Sequence, residues 1–291
     1  MAAALAPDLR KTRANWENCG RLIPARPAAV LRGLVQEYRG FRDDAPAPSA
    51  VQRELPSAVV PVIIEFGAGW HVATPADSYQ PQHMRSFVAG MHDAYALVEA
   101  AGPVRGVQID LLPIGVRQLL GVPMHELTNR VVPLDALLGC GARELAEHLA
   151  EAGSWTERCS RLDAALTQRL GGHSAISPEV EWAWQRLEQT AGATPVQDLC
   201  IELGWSRKRL VARFRNDIGL GPKTAARVIR FQRLSRRLRA RSLRDGWADL
   251  AIELGYADQA HLAREVHRLA RVTPTELLAE TFVQDDPPAS A

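Results

Sequence analysis

The block Asp-Leu-x-Ile-Glu-Leu-Gly, followed by an aromatic residue, occurs twice in this chain. It reads DLCIELGW at 198–205 and DLAIELGY at 249–256, an offset of 51 residues. In the first copy Val196, Leu199, Cys200 and Leu203 recur at helical spacing on one face, and Gly204 ends the helix. Ser206 is placed to cap the next stretch, RKRLVARFRNDIG, where Leu210 and Phe214 stand four apart and point back at the first helix. The second copy follows suit. Its first helix ends at Gly255, Asp258 caps QAHLAREVHRLA, and Leu262, Val266 and Leu269 face inward. A helix, a tight glycine-containing turn and a second amphipathic helix make a helix-turn-helix, and this chain predicts two of them. Each unit closes on a proline, Pro222 and Pro274.

The outward faces of the two second helices carry the candidate chemistry. In the first, Ser206, Arg207, Lys208, Arg209, Val211, Ala212 and Arg215 form a surface suited to a DNA major groove, its N-terminal half nearest the bases. In the second, the corresponding surface is Asp258, Gln259, Ala260, His261, Arg264, His267 and Arg268. Gln pairs with adenine and Arg with guanine through two hydrogen bonds, so Gln259 and Arg264 are apt readers; Ala212 and Ala260 offer apolar contact to a thymine methyl. Between the units, Pro222 to Arg239 predicts a helix about 27 Å long at roughly 1.5 Å per residue. It would hold the two reading helices about one DNA turn, roughly 34 Å, apart. Lys223, Arg227 and Arg230 on it are expected backbone contacts, with ion pairing that holds the subdomains together as the alternative use of its arginines. Residues 207–244 hold fourteen basic residues and one acid, Asp217, although the whole chain is only +2. An excess of that size points to a polyanionic partner.

With both units and the connecting helix in view, residues 178–281 resemble the DNA-binding domain of AraC/XylS-type transcription regulators. The longest match is LAIELGYADQAHLAREVHRLARVTPTEL, and ELGWSRKRLVARFRNDIGLGPK is similar to the first-unit counterpart. The resemblance implies sequence-specific binding to double-stranded promoter DNA, RNA polymerase as a protein partner, no catalytic activity and no cofactor. Leu262 and Val266 stand where the family often has aromatics, and Arg271 where it often has a glycine whose loss would shift the chain's path.

The N-terminal half is expected to be a β-rich domain, making the fold α+β: a cupin-like barrel or sandwich with flanking helices, then an all-α domain. From about 30 to 112, short apolar and β-branched runs such as AVVPVIIEFGAGWHV alternate with Gly and Pro clusters. After Pro113 the pattern turns helical, in PIGVRQLLG, RELAEHLAEAG and WTERCSRLDAALTQRLGG. Those helices either form a homodimer interface or cover one face of the sheet, and both readings stay open. The expected division is a leader at 1–28, with Pro24 and Pro27 breaking regular structure, a sensor or dimerisation domain at 29–172, a linker at 173–177, the double helix-turn-helix domain at 178–281, and a tail at 282–291. RGVQIDLLPIGVRQLLGVPMHEL is similar to N-terminal stretches of AraC-type regulators from actinobacteria. The resemblance implies a small effector bound by this domain, with Trp70 and Tyr95 as lining candidates but its pocket otherwise unassigned.

Other chemistries lack their residues. His71, His83 and His92 are too far apart in sequence for a cupin metal site, and no metal ligand set is expected. The GxSxG, P-loop and HExxH patterns are missing. Cys19, Cys140, Cys159 and Cys200 form no CxxC pair and read as unpaired thiols of a reducing cytoplasm. MAAALAPDLRKTR has no apolar run fit for a signal peptide, and no stretch reaches the roughly 20 apolar residues of a membrane span. A cytoplasmic, nucleoid-associated protein is the resulting expectation.

Overall fold

The computed structural model describes residues 13–14, 23–44, 51–173, 175–239 and 246–282. Eleven strands are formed by them: β1 (Arg13–Ala14), β2 (Ile23–Ala25), β3 (Val35–Asp43), β4 (Gln52–Glu54), β5 (Val60–Glu65), β6 (Trp70–Ala73), β7 (Gln82–Met84), β8 (Phe87–Ala89), β9 (Ala96–Ala100), β10 (Val104–Leu111) and β11 (Val131–Pro133). They divide into a five-stranded sheet, β1-β4-β9-β6-β7, and a six-stranded sheet, β11-β8-β5-β10-β3-β2. The two make an open sandwich rather than a closed barrel. Strands β5 and β10 lie in the middle of the larger sheet, covered on one face by the smaller sheet and on the other by helices. Double cover explains why both are buried almost continuously instead of alternating. Phe41, Ile63, Trp70, Val72, Phe87 and Val98 fill the space between the sheets.

Glu65 ends β5 as a buried acceptor. Its carboxylate takes hydrogen bonds from the Gly67 and Arg105 amides (2.7 and 2.9 Å) and from Trp70 Nε1 (2.8 Å), and so joins both sheets at one corner. Burial pushes its pKa up despite those three donors.

The leader expected at 1–28 is corrected where it is described. Ile23–Ala25 pairs with Tyr38–Gly40 and Arg13–Ala14 with Gln52–Arg53; residues 1–12 and 15–22 lie outside the described residues. Pro24 is tolerated because β2 is an edge strand, where a missing N–H costs no ladder bond. The helical reading after Pro113 also needs amendment, since Val131–Pro133 returns to the larger sheet beside β8. Three residues are too few to show a period of two.

Four helices complete this half: α1 (Pro113–Leu120), α2 (Leu134–Leu138), α3 (Cys140–Ala150) and α4 (Trp155–Gln168). Helix α4 is tied down by Asp163, whose Oδ1 accepts from the Ala28 amide (2.8 Å) and the Tyr38 hydroxyl (2.9 Å). The Trp155 ring lies flat over Gly40, 3.0 Å from where a Cβ would stand, so a side chain there would lift the helix. Leu162 and Leu166 are buried in the core against which Trp155 packs. The apolar face of α4 therefore covers the sheet.

Seven helices follow: α5 (Pro178–Gln189), α6 (Val196–Leu203), α7 (Arg207–Ile218), α8 (Pro222–Arg239), α9 (Gly246–Glu253), α10 (Gln259–Ala270) and α11 (Pro274–Phe282). Ile176, in the expected linker, is buried, and Ser177 caps α5 by accepting from the Val180 amide (3.3 Å). Residue 174 and the tail from 283 lie outside the described residues. The apolar core of the first helix-turn-helix unit runs without a break into that of the β-domain, and it extends along α8 as far as Ile229. The second unit has its own core, starting at Phe231.

Candidate nucleic-acid interface

The repeated sequence block folds twice into the same turn. Gly204 and Gly255 take positive φ (62° and 78°), where a side chain would be strained. The following aromatic amides close each helix: Trp205 N–H donates to Cys200 O (3.0 Å) and Tyr256 N–H to Ala251 O (2.9 Å). The second helices are capped as their sequences require. Ser206 Oγ accepts from the Arg209 amide (3.3 Å) and Asp258 Oδ1 from the His261 amide (2.6 Å).

Helices α7 and α10 then turn the expected residues outward. Ser206, Arg207, Lys208, Arg209, Ala212 and Arg215 are exposed, and Val211 is half-buried. Asp258, Gln259, Ala260, Arg264, His267 and Arg268 are exposed, while His261 is half-buried. Leu210, Phe214, Leu262, Val266 and Leu269 are fully buried behind them. Besides the caps Ser206 and Asp258, Arg209 and His261 also have partners inside the protein. The Arg209 guanidinium sits 4.2 Å from the Trp205 ring centroid, a cation–π contact that stiffens it on the surface. His261 packs edge-on against Tyr256 at 5.4 Å, and its Nδ1 accepts from the Ala257 amide (3.3 Å).

The arginines of α8 divide by partner. Arg227 is buried and faces Glu265 of α10 at 3.6 Å, each side chain about 10% exposed. It is therefore not a DNA-backbone contact; its charge is spent on Glu265, where α8 meets α10. Arg230 lies over the Tyr256 ring at 5.6 Å and reaches Gly255 O (3.4 Å). Arg237 bridges to Glu253 at 2.8 Å. Lys223 is exposed. Together with Arg207 and Arg230 it lines an open cavity of about 530 Å³, walled on one side by the Gly192–Val196 turn. Gly192 has φ +75°, and its Cβ position lies 2.2 Å from Ala226 O, so only glycine lets that turn sit against α8.

Glu265 was not among the residues expected to matter. The available signal was an acid on the inward stripe of α10, between Leu262 and Leu269, where a charge needs a buried partner. The contacts at the C-terminal end of α7 were also not legible. Thr128 Oγ1 lies 3.0 Å from Gly219 O, and Arg117 approaches the buried Asp217 at 3.5 Å, so the inner end of the first reading helix rests on the β-domain.

The family described as a helix-turn-helix domain matches residues 199–280, which hold both turns, both reading helices and all of α8. Residues 199–280 form an AraC/XylS-type helix-turn-helix domain. This type of domain binds DNA and regulates transcription. A second family, described as a domain of unknown function (DUF6597), matches residues 24–133, the sandwich from β2 to β11. No curated protein matches the chain. Among solved structures, ToxT from Vibrio cholerae O395 is similar at 11% identity and a TM-score of 0.46, over 78% of this chain and 91% of that one. The C-terminal domain of AraT, a response regulator from Geobacillus stearothermophilus, is similar at 16% identity and a TM-score of 0.35, over 40% of this chain and 95% of that one. Likenesses of this size carry no information on operator or ligand.

In the AraC/XylS-type domain, Arg271 follows α10 at φ +58°, the left-handed conformation that favours glycine. The chain path is thus kept where the family glycine is missing, at the cost of a strained arginine. Arg271→Gly is expected to stabilise the domain by about 1 kcal/mol, the steric relief outweighing the looser unfolded chain. Urea unfolding would register it as a raised midpoint at unchanged slope. Among the described residues no group of three or more His, Cys, Asp or Glu could hold a metal ion. His71 and His83, distant in sequence, are cross-strand partners with rings 5.4 Å apart. No helix among the described residues is long and apolar enough to cross a membrane.

Proposed function

We propose that the chain is a sequence-specific transcription regulator that inserts α7 and α10 into successive major grooves on one side of promoter DNA. The observation that carries this reading is the pair of matching outward faces, each behind the same glycine turn, held by one 18-residue helix. At about 1.5 Å per residue that helix spans about 27 Å, close to the roughly 34 Å between successive groove faces. Base readout falls to Lys208, Arg215, Gln259 and Arg264, and apolar contact to Ala212 and Ala260. The cavity shared by Arg207, Lys223 and Arg230 suits a backbone phosphate and would set the register of the first unit. The sandwich serves as the sensor domain, with a small effector in the apolar cavity between its sheets, and RNA polymerase is the downstream partner. The domain limits follow: sensor to residue 172, reader from 178 to 281.

The direct test is selection of bound sites from sheared genomic DNA by the purified protein at near-physiological salt. Sites with two short blocks about 10.5 base pairs apart support the twin-reader mechanism. Diffuse binding lost on adding salt would refute it and leave only charge attraction.

Two substitutions separate the roles. Arg264→Ala should weaken binding to a selected site by about 1–3 kcal/mol and leave random DNA unaffected. Equal losses on both would make Arg264 a phosphate contact. Lys223→Ala should weaken both alike and flatten the plot of log K against log salt by about one unit. An unchanged slope would remove the phosphate role from that cavity.

A further inference from the structure

The two reading helices match as far as their last turn and part company there. Asp217 and Gly219 of α7 stand where α10, 52 residues on, has Leu269 and Arg271. Leu269 is buried in the second unit's own core, and Arg271 is exposed. Asp217 and Gly219 are both buried, and both meet the β-domain.

A carboxylate in the last turn of a helix sits at the negative end of the helix dipole, and burial adds to its cost. Asp217 offsets that cost by accepting from Asn216 Nδ2 (2.6 Å) and by facing the Arg117 guanidinium of α1 at 3.5 Å. Two residues on, Gly219 ends α7 at φ +90°. Thr128 Oγ1 lies 3.0 Å from Gly219 O and 3.1 Å from Met124 O, so its one proton ties the end of α7 to the β-domain's own turn. A Cβ at position 219 would stand 2.9 Å from that hydroxyl oxygen and 3.3 Å from Met124. The close approach thus requires glycine in the first unit, while the second unit carries an arginine at the same place.

We propose that Arg117 and Thr128 of the β-domain are positioning residues for DNA recognition: they clamp the C-terminal end of α7, set its tilt, and so narrow the half-site spacing that the chain accepts. This rests on the reading of α7 and α10 as twin base readers and adds what fixes their separation.

Leverage makes the clamp matter. Helix α7 has 12 residues. At about 1.5 Å per residue it is about 18 Å long, and its base-reading half is the end away from the clamp. A tilt of about 10° carries that end about 3 Å, close to the roughly 3.4 Å rise of one base pair. Along α8 the core changes over, from the one shared with the β-domain up to Ile229 to that of the second unit from Phe231. Helix α8 therefore sets where the two units sit, and the clamp sets how the first one leans.

The test uses the full-length protein, a selected two-block site, and versions of it with one base pair added or removed between the blocks. Affinities are read by fluorescence anisotropy. The natural protein should lose about tenfold or more for either change, because each puts one helix on the wrong bases. In the Arg117→Gln, Thr128→Val double variant the loss should shrink to about threefold or less. The Arg117→Lys, Thr128→Ser variant should keep the natural profile. Thr128→Val alone, nearly the same shape without the hydroxyl proton, should move the profile the same way by less, and it serves if the double variant does not fold. Equal weakening at every spacing would overturn the proposal and leave the two residues as supports of the fold. An unchanged profile in a folded variant would overturn it too. A natural protein indifferent to spacing would overturn the twin-reader reading itself.

Discussion

Replacing Glu265 by Ala is expected to destabilise the second helix-turn-helix unit by about 3–5 kcal/mol. The size follows from what is left behind. Arg227 and Glu265 face each other at 3.6 Å, each about 10% exposed, at the seam where α10 meets α8. Neither the Arg227 Nε and Nη2 nor Glu265 Oε2 makes a hydrogen bond that would share the burden. Taking away the carboxylate strands a guanidinium that cannot neutralise itself by losing its proton. Because the second unit has a core separate from the rest, the loss should appear as earlier opening of α9–α11 alone, measurable as faster hydrogen exchange there. The Arg227→Met, Glu265→Leu double variant should recover most of the stability, since a buried pair replaced by packed apolar groups is close to neutral. A loss below about 1 kcal/mol in Glu265→Ala would mean that water reaches the pair.

Acidification should cost the β-domain about 2 kcal/mol between pH 7 and pH 5 through His92 alone. Burial lowers its pKa from 6.5 to about 4, with the nearby Asp93 and the Arg130 backbone only partly offsetting it. The sign follows from proton counting. Between pH 6.5 and 4 the unfolded chain binds a proton at this histidine and the folded one does not, so stability rises with pH in that window. Below about pH 4 both states are protonated, and above about pH 6.5 neither is, so the slope vanishes at both ends. Other groups titrate over the same range; the measurable quantity is therefore the difference in urea midpoint shift between the natural protein and His92→Leu. Equal shifts in the two would show that the folded imidazole takes up its proton freely.

The helical half was largely legible because its information is local. Ser206 and Asp258 as caps, Gly204 and Gly255 as helix ends, and Pro222 as the start of the connecting helix all emerge where the sequence places them. Each rests on contacts within four residues, where helix periodicity ties position in the chain to position on a face. The arginines of α8 were less legible. Periodicity puts Arg227 on a helix face but does not say whether that face meets water, DNA or a neighbouring helix. In the β-half the apolar runs were visible, but strand pairing was not. Arg13–Ala14 and Val131–Pro133 are too short to show alternation, and Pro24 signals an edge strand only once the sheet order is known.

By itself, then, the sequence determined the two repeated units, their inward and outward faces and the charge that suits them to DNA. Those are properties of single helices and of composition. Tertiary structure alone decided that His71 meets His83, that Arg227 meets Glu265, and that the first unit shares the β-domain's core while the second does not. It also decided that Leu55 stands both in the wall of the inter-sheet cavity and against the second unit. Such contacts join residues tens to hundreds of positions apart, and they depend on sheet register and on how whole elements dock. No local period of 2 or 3.6 residues encodes either one.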